Sequence, residues 1–354
     1  MLSLEELLKA AVESDASDIF ITVGVPPTLK IGGVLKPACQ EVLHPADTEH
    51  YVRQLFRKEE YYVEYLENGE KDFSISLSGV GRFRIDAYTQ RGSMAAAIRV
   101  LKYGQPDPVA LGIPQTILDF SKKTRGLVLV TGPTGSGKST TLSAIINLIN
   151  KERSCHILTL EDPIEYIHKH DKSIVDQREI GVDTKNYAQA LRSALRQAPD
   201  VILVGEMRDL ETISIALTAA ETGHLVFSTL HTIGAAKTMD RIIDVFPPNQ
   251  QEQVKVQLST VLQAVVSQQL LPSREKGRIA AFEIMVVNHA IRNLIRESKT
   301  MQIDAVIQTG RAQGMISMDA SIAELYNKQL ITKEDALTYC VNPETVQKYL
   351  FNTR

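Results

Sequence analysis

Gly132-Pro133-Thr134-Gly135-Ser136-Gly137-Lys138-Ser139 sets three glycines, a lysine and a hydroxyl at the spacing of a phosphate-binding loop. The glycines let the backbone turn tightly, so that successive N–H groups point at one anion. The N-terminus of a following helix adds its partial positive charge. Lys138 is then placed to reach the β- and γ-phosphates of a nucleoside triphosphate, and the Ser139 hydroxyl to hold Mg²⁺. The flanks agree with this reading. A strand-like apolar run, Gly126 to Val130, precedes the loop, and Leu142, Ile145, Ile146 and Ile149 follow it at helical spacing.

Three more segments end apolar runs where a phosphate-cleaving site needs them. Glu161-Asp162-Pro163-Ile164-Glu165 offers carboxylates that could orient or deprotonate an attacking water, or could form an acidic surface turn. Val204-Gly205-Glu206 resembles a Walker B element, with Glu206 holding Mg²⁺ through a water, but Gly205 stands where an aspartate is usual. His224 and His231 flank one apolar strand, in Thr222-Gly223-His224 and Ser228-Thr229-Leu230-His231-Thr232. They read either as phosphate-sensing and supporting groups or as structural histidines.

The elements that carry these residues follow from periodicity. Ser3 and Glu6 form a capping-box pattern ahead of Leu4, Leu7, Leu8, Ala11 and Val12. Ile19, Ile21 and Val23 alternate as in a strand, and a helical stretch follows Pro45. Phe73-Ile75-Leu77 and Phe83-Ile85-Ala87 alternate on either side of a Gly-containing turn, which predicts a hairpin. Residues 1–102 therefore read as a small α+β domain with an antiparallel sheet, and 103–118, with Pro106, Pro108 and Pro114, as a linker. Over 119–287 continuous apolar strands alternate with helices, the pattern of a parallel sheet covered on both faces, and 288–354 reads as helical.

Composition narrows the function classes. The 354 residues carry a net charge of −3, against the basic balance of many nucleic-acid-binding domains, so no nucleic acid is expected as partner. The short basic cluster Lys122-Lys123-Thr124-Arg125 reads as a solvated helix end. No apolar run approaches the ~20 residues of a membrane span, and the acidic, amphipathic start is unlike a signal or transit peptide. Cys39, Cys155 and Cys340 lack disulfide or zinc spacing and are expected as reduced, buried thiols in the cytosol.

GPTGSGKSTT, LEDPIEY, ALRQAPDVILVGEMRDLETI, TAAETGHLVFSTLHT and AIRNLIRE together resemble the secretion ATPase superfamily, and within it the PilT-type retraction motors of type IV pili. The resemblance runs from about Ser17 to Gly314. It implies an α/β fold: a PAS-like α+β N-terminal domain, a RecA-like P-loop ATPase core and a helical C-terminal region. It implies ATP and Mg²⁺ held by Gly132 through Ser139 with Thr140 and His224, Glu165 as catalytic glutamate, Glu206 as Walker B glutamate and His231 as γ-phosphate sensor. Arg84 and Arg99 match arginines with which such motors complete their sites.

AIRNLIRE is the signature of the retraction branch. Its Ile291, Leu294 and Ile295 have helical spacing, and Arg292, Arg296 and Glu297 are expected to face outward and couple to a partner. The implied assembly is a homo-oligomeric ring, a hexamer, in the cytoplasm at the inner face of the membrane, acting on an inner-membrane pilus platform protein without inserting into the bilayer. Pilus extension or type II secretion is the nearest alternative. A nucleic-acid translocase ring and a non-hydrolysing nucleotide-gated scaffold are more distant ones.

Overall fold

The computed structural model describes residues 2–101, 105–275 and 277–351. The chain divides into two compact units, 1–104 with 165–167, and 105–164 with 168–354.

The first unit begins with helix α1 (Leu4–Glu13), whose Ser3–Glu6 capping box is formed as the sequence predicts. Strands β1 (Ala16–Ile21), β2 (Thr28–Ile31) and β3 (Val34–Pro37) follow, then helices α2 (Pro45–Leu55) and α3 (Glu59–Asn68). The unit closes with β4 (Glu70–Leu77), β5 (Gly81–Gln90) and β6 (Ser93–Leu101). The six strands form one antiparallel sheet in the order β3-β2-β1-β6-β5-β4. β4 and β5 are the predicted hairpin, with Phe73 opposite Ile85 and Ile75 opposite Phe83. The first strand stops at Ile21 rather than Val23, because the chain turns there through Gly24 at φ 90°. Period-two alternation sends Ile19, Phe83, Ile85 and Ile98 to a core shared with Leu7, Tyr51 and Leu55, and leaves Asp18, Arg84 and Arg99 on the other face.

In the second unit the stretch read as linker is largely integrated. Residues 102–104 lie outside the described residues, but Ile113, Ile117 and Leu118, the latter two in the short helix α4 (Gln115–Leu118), pack into the core. Then come β7 (Gly126–Thr131), α5 (Lys138–Glu152), β8 (His156–Glu161), β9 (Ile174–Glu179), α6 (Tyr187–Ala194) and β10 (Val201–Val204). They are followed by α7 (Leu210–Glu221), β11 (Leu225–Leu230), α8 (Ala235–Asp244), α9 (Pro248–Val261), β12 (Leu262–Pro272) and β13 (Arg278–Val286). The helical region comprises α10 (His289–Arg296), α11 (Ile303–Thr309), α12 (Met318–Asn327), α13 (Lys333–Tyr339) and α14 (Pro343–Phe351).

The seven-stranded sheet has the order β13-β12-β7-β11-β10-β8-β9 and is parallel except for β13 at one edge. Alternate residues of each strand enter two different cores. Leu127, Leu129, Leu158, Ile202 and Val226 pack under α6 to α10, while Val128, Val130, Ile157, Leu203 and Phe227 pack under α4 and α5. Burial on both faces is why these strands read as unbroken apolar runs. The three cysteines are free as expected, yet half-buried rather than buried.

Candidate nucleotide site

Parallel pairing puts the carboxyl ends of the central strands at one edge of the sheet. Thr131 is in register with Leu230, and Val204 with both Ser228 and Leu160. The phosphate loop, Glu161, Glu206 and His231 therefore leave the same edge, where ligands of open α/β sheets bind.

Gly132, Gly135 and Gly137 adopt φ of 142°, 78° and 89°, and Gly137 caps α5 with no side chain bonded to the helix end. A Cβ on Gly132 would fall 2.2 Å from the Gln268 carbonyl oxygen, so no other residue fits there. Lys138 is buried, and its Nζ donates to the carbonyls of Gly132 (2.8 Å) and Pro133 (3.1 Å), folding the loop around the ammonium. Ser139 and Thr140 stand in the first turn of α5. Ser136 Oγ is buried with no hydrogen-bond partner among the described residues. An orphaned hydroxyl, an ammonium and an uncapped helix N-terminus in one loop fit phosphate oxygens, and the oxygen donors of Ser139 and, at the same sheet edge, Glu206 are of the kind Mg²⁺ takes.

Glu206 is the centre of a second cluster. Its Oε2 lies 2.7 Å from Arg208 and its Oε1 3.1 Å from His231 Nε2. Burial opposes ionisation of this carboxyl, but the Arg208 hydrogen bond and the charges of His231 and Arg208 outweigh it and hold the pKa below the ordinary glutamate value. Glu206, Arg208, His231 and Arg241 line a cleft of about 430 Å³. Arg208 was not singled out from the sequence. Its position two residues after the Walker B glutamate was the available signal.

Gly205 also has a structural reason. A Cβ there would lie 2.8 Å from the Tyr187 hydroxyl and 3.0 Å from the Leu160 carbonyl oxygen. Burial first, then the charges of Asp162, Glu206 and Glu161, push the Tyr187 pKa up. Glu161 is fixed by Thr159 Oγ1 (2.7 Å) and Gln177 Nε2 (3.1 Å). Gln177 also accepts from the His168 N–H at 2.7 Å, and Glu179 accepts from the Ile164 N–H at 3.0 Å. Strand β9, which the sequence reading missed, thus braces both ends of the acidic segment.

Three other expected site residues belong to the first unit. Glu165 is exposed and belongs to the first unit. Arg84 and Arg99 also belong to that unit, where they are direct cross-strand partners on β5 and β6. Two like charges placed opposite repel, and each is compensated. Arg84 forks onto Asp72, with Nε 3.1 Å from both oxygens, and Arg99 meets Asp18 at 3.2 Å.

His224 is a correction. It precedes Leu225, which is paired with Gly126 at the start of β7, so it sits at the opposite edge of the sheet from the phosphate loop. Six strand residues separate it from that edge, about 20 Å. There its Nδ1 lies 2.9 Å from the Ala219 carbonyl oxygen at the end of α7, a structural position.

Arg292 is a second correction. Ile291 and Ile295 are buried as expected, and Arg296 and Glu297 are exposed, bonded to Asn293 and Lys299 respectively. Arg292, however, turns inward. It donates to the carbonyls of Ser259 and Thr260 (2.7 Å to the latter), in the last turn of α9. Burial, then the neighbouring Arg296, lowers its pKa from the usual arginine value.

The chain is similar to several known proteins. The family described as "Type II/IV secretion system protein" matches residues 113–334. The type IV pilus retraction ATPase PilT of Pseudomonas aeruginosa is 45% identical over 97% of this chain and 99% of its own. A twitching motility protein of Neisseria gonorrhoeae is 52% identical over 80% of this chain and 76% of its own. The crystal structure of the pilus retraction motor PilT with bound ADP superimposes with a TM-score of 0.92 at 48% identity, over 98% of this chain and all of that one. The second unit is accordingly a RecA-like core preceded by an antiparallel-sheet domain, and the chain belongs to the type II/IV secretion system protein family.

Proposed function

We propose that this chain is an ATP-hydrolysing motor that powers type IV pilus retraction and, through it, twitching motility. The observation that carries the reading is the match to retraction motors across nearly the full length of both chains, in sequence and in fold. The site supports the chemistry. The uncapped N-terminus of α5, Lys138, Ser136 and Thr140 would bind the phosphates, and the Ser139 hydroxyl would hold the metal. Mg²⁺, when bound, neutralises charge on the β- and γ-phosphate oxygens. Glu206, kept ionised by Arg208 and His231, would hold the metal through a water. Glu165 orients the attacking water, and His231 reports the γ-phosphate. Arg84 and Arg99, fixed charges held in place by aspartates, complete the site from a neighbouring subunit and stabilise the charge spread over the transferring phosphoryl group.

The motor then works as a six-membered ring on the cytoplasmic side of the inner membrane, turning a platform protein so that pilin subunits leave the pilus base. Among the described residues no helix is long and apolar enough to cross a membrane. Deleting the gene in its host tests the direction. Retraction predicts cells with more surface pili and no twitching. Loss of pili would identify an extension motor instead.

A further inference from the structure

β12 runs beside β7, with Ser267 in register with Thr131, the residue that opens into the phosphate loop. The next residue, Gln268, is only 3% exposed and meets that loop at three points. Its Oε1 accepts from Thr141 Oγ1 at 2.8 Å, in the first turn of α5. Its Nε2 lies 2.8 Å from where a Cβ on Gly137 would be, and its carbonyl oxygen 2.2 Å from the equivalent point on Gly132. One residue, 127 positions from Thr141 in the chain, therefore touches the first glycine of the loop, the last glycine and the helix that the loop caps.

The orientation of the amide matters. With Oε1 committed to Thr141, Nε2 is left as a donor beside Gly137, and it donates to no protein acceptor among the described residues. A buried amide donor at the N-terminal end of a helix suits an anion there, whereas a carboxylate in its place would repel that anion. The neighbouring Ser267 extends the same brace, because its Oγ accepts from the Gly234 N–H at 3.0 Å, three residues after His231.

We infer that Gln268 is a positioning residue for the nucleotide. Through Thr141 and the two glycines it holds the loop in the shape that converges its N–H groups on the phosphates. Four full-length variants test this: Gln268→Leu, Gln268→Glu, Thr141→Val and Thr141→Ser. ADP affinity would be read by competition with a fluorescent ADP analogue, steady-state ATPase rates would give KM and kcat, and melting would report folding.

Loss of one buried hydrogen bond should weaken ADP about five- to tenfold in Gln268→Leu and in Thr141→Val. KM for ATP should rise in proportion, with kcat changed less. Thr141→Ser keeps the hydroxyl and should stay near the parent. Gln268→Glu should be weaker than Gln268→Leu despite its closer shape, since it brings negative charge to the anion-binding end. Because the two partners share one bond, the Gln268→Leu, Thr141→Val double variant should be no weaker than the worse single. If Gln268→Leu fails to fold, Thr141→Val reads the same bond from the helix side.

The inference rests on the loop binding a nucleotide, and Lys138→Ala serves as the control for that reading. A parent that binds no ADP would overturn the reading of the site and this inference together. A parent that binds normally, with variants that melt lower yet keep its affinity and KM, would overturn the inference alone and leave Gln268 a packing residue.

Discussion

Replacing Arg292 by alanine should destabilise the second unit, whereas the same change at Arg296 should not. Arg292 donates to two carbonyls in the last turn of α9, where the helix has run out of internal donors. A hydrogen bond from a charged group contributes about 1.5–3 kcal/mol when well buried, and a cation at a helix C-terminus about 0.3–1 kcal/mol. Because Arg292 is only half-buried, water can replace part of what is lost, so the expected cost is about 1–2 kcal/mol. For a unit of this size that lowers the melting temperature by about 2–8 °C. Arg296 is exposed and bonds only to Asn293 across one turn, so Arg296→Ala should stay within about 0.5 kcal/mol of the parent.

Calorimetry on the purified single variants, with ATPase rates alongside, separates the two roles. Under the proposed function, Arg296→Ala and Glu297→Ala should hydrolyse ATP within about threefold of the parent, less than ~0.7 kcal/mol in barrier, and still fail to restore retraction in cells. Equal stability of Arg292→Ala and Arg296→Ala would refute the capping role. Hydrolysis lost in Arg296→Ala would show that the outer face of α10 serves the engine rather than a partner.

Two further outcomes are expected. Glu165→Gln should bind ATP and turn it over at least ~100-fold more slowly, whereas Lys138→Ala should lose binding itself; near-normal turnover in Glu165→Gln would move the water-orienting role, most directly to Glu161. Burial lowers the His168 pKa from 6.5 to about 4, so the unfolded chain takes up a proton before the folded one does. The stability this neutral histidine contributes is complete above pH 6.5 and falls as pH drops toward 4, by about 2 kcal/mol between pH 7 and pH 5. Denaturant titrations of His168→Gln should lose that part of the slope, and parallel curves for variant and parent would refute the assignment.

What could be read from sequence was whatever local geometry sets. The phosphate loop, the Ser3 cap and the β4–β5 hairpin depend on neighbours a few residues apart, and each is formed. The central strands were legible because both their faces are buried. β9 was not, since it is an edge strand with exposed Ile174 and polar Asp176, Gln177 and Arg178. β12 was masked because it follows α9 without a break, Val261 to Leu262, so its apolar residues carry no boundary signal. The inward turn of Arg292 depends on α10 packing against α9, a tertiary fact that helical spacing cannot supply. His224 was different. A histidine on each side of a six-residue strand must lie at opposite edges of the sheet, and strand rise alone would have separated it from His231.

The departure at Gly205 carries the reading of the site one step further. An aspartate there would bring a Cβ 2.8 Å from the Tyr187 hydroxyl and 3.0 Å from the Leu160 carbonyl oxygen, so the close packing favours the glycine. The negative charge such an aspartate would bring is supplied by other elements: Glu206 after β10, and Glu161 and Asp162 at the end of β8, all acting on the same tyrosine. Glu161 is fixed by β8 and β9 through Thr159 and Gln177, and Glu206 by Arg208 and His231. These carboxylates therefore depend on separate supports and can be perturbed separately. Loss of Gln177 should loosen Glu161, while loss of Arg208 should release Glu206 and also remove a positive charge that Asp162 feels. A site with its aspartate and glutamate on adjacent residues of one strand could not be divided in this way.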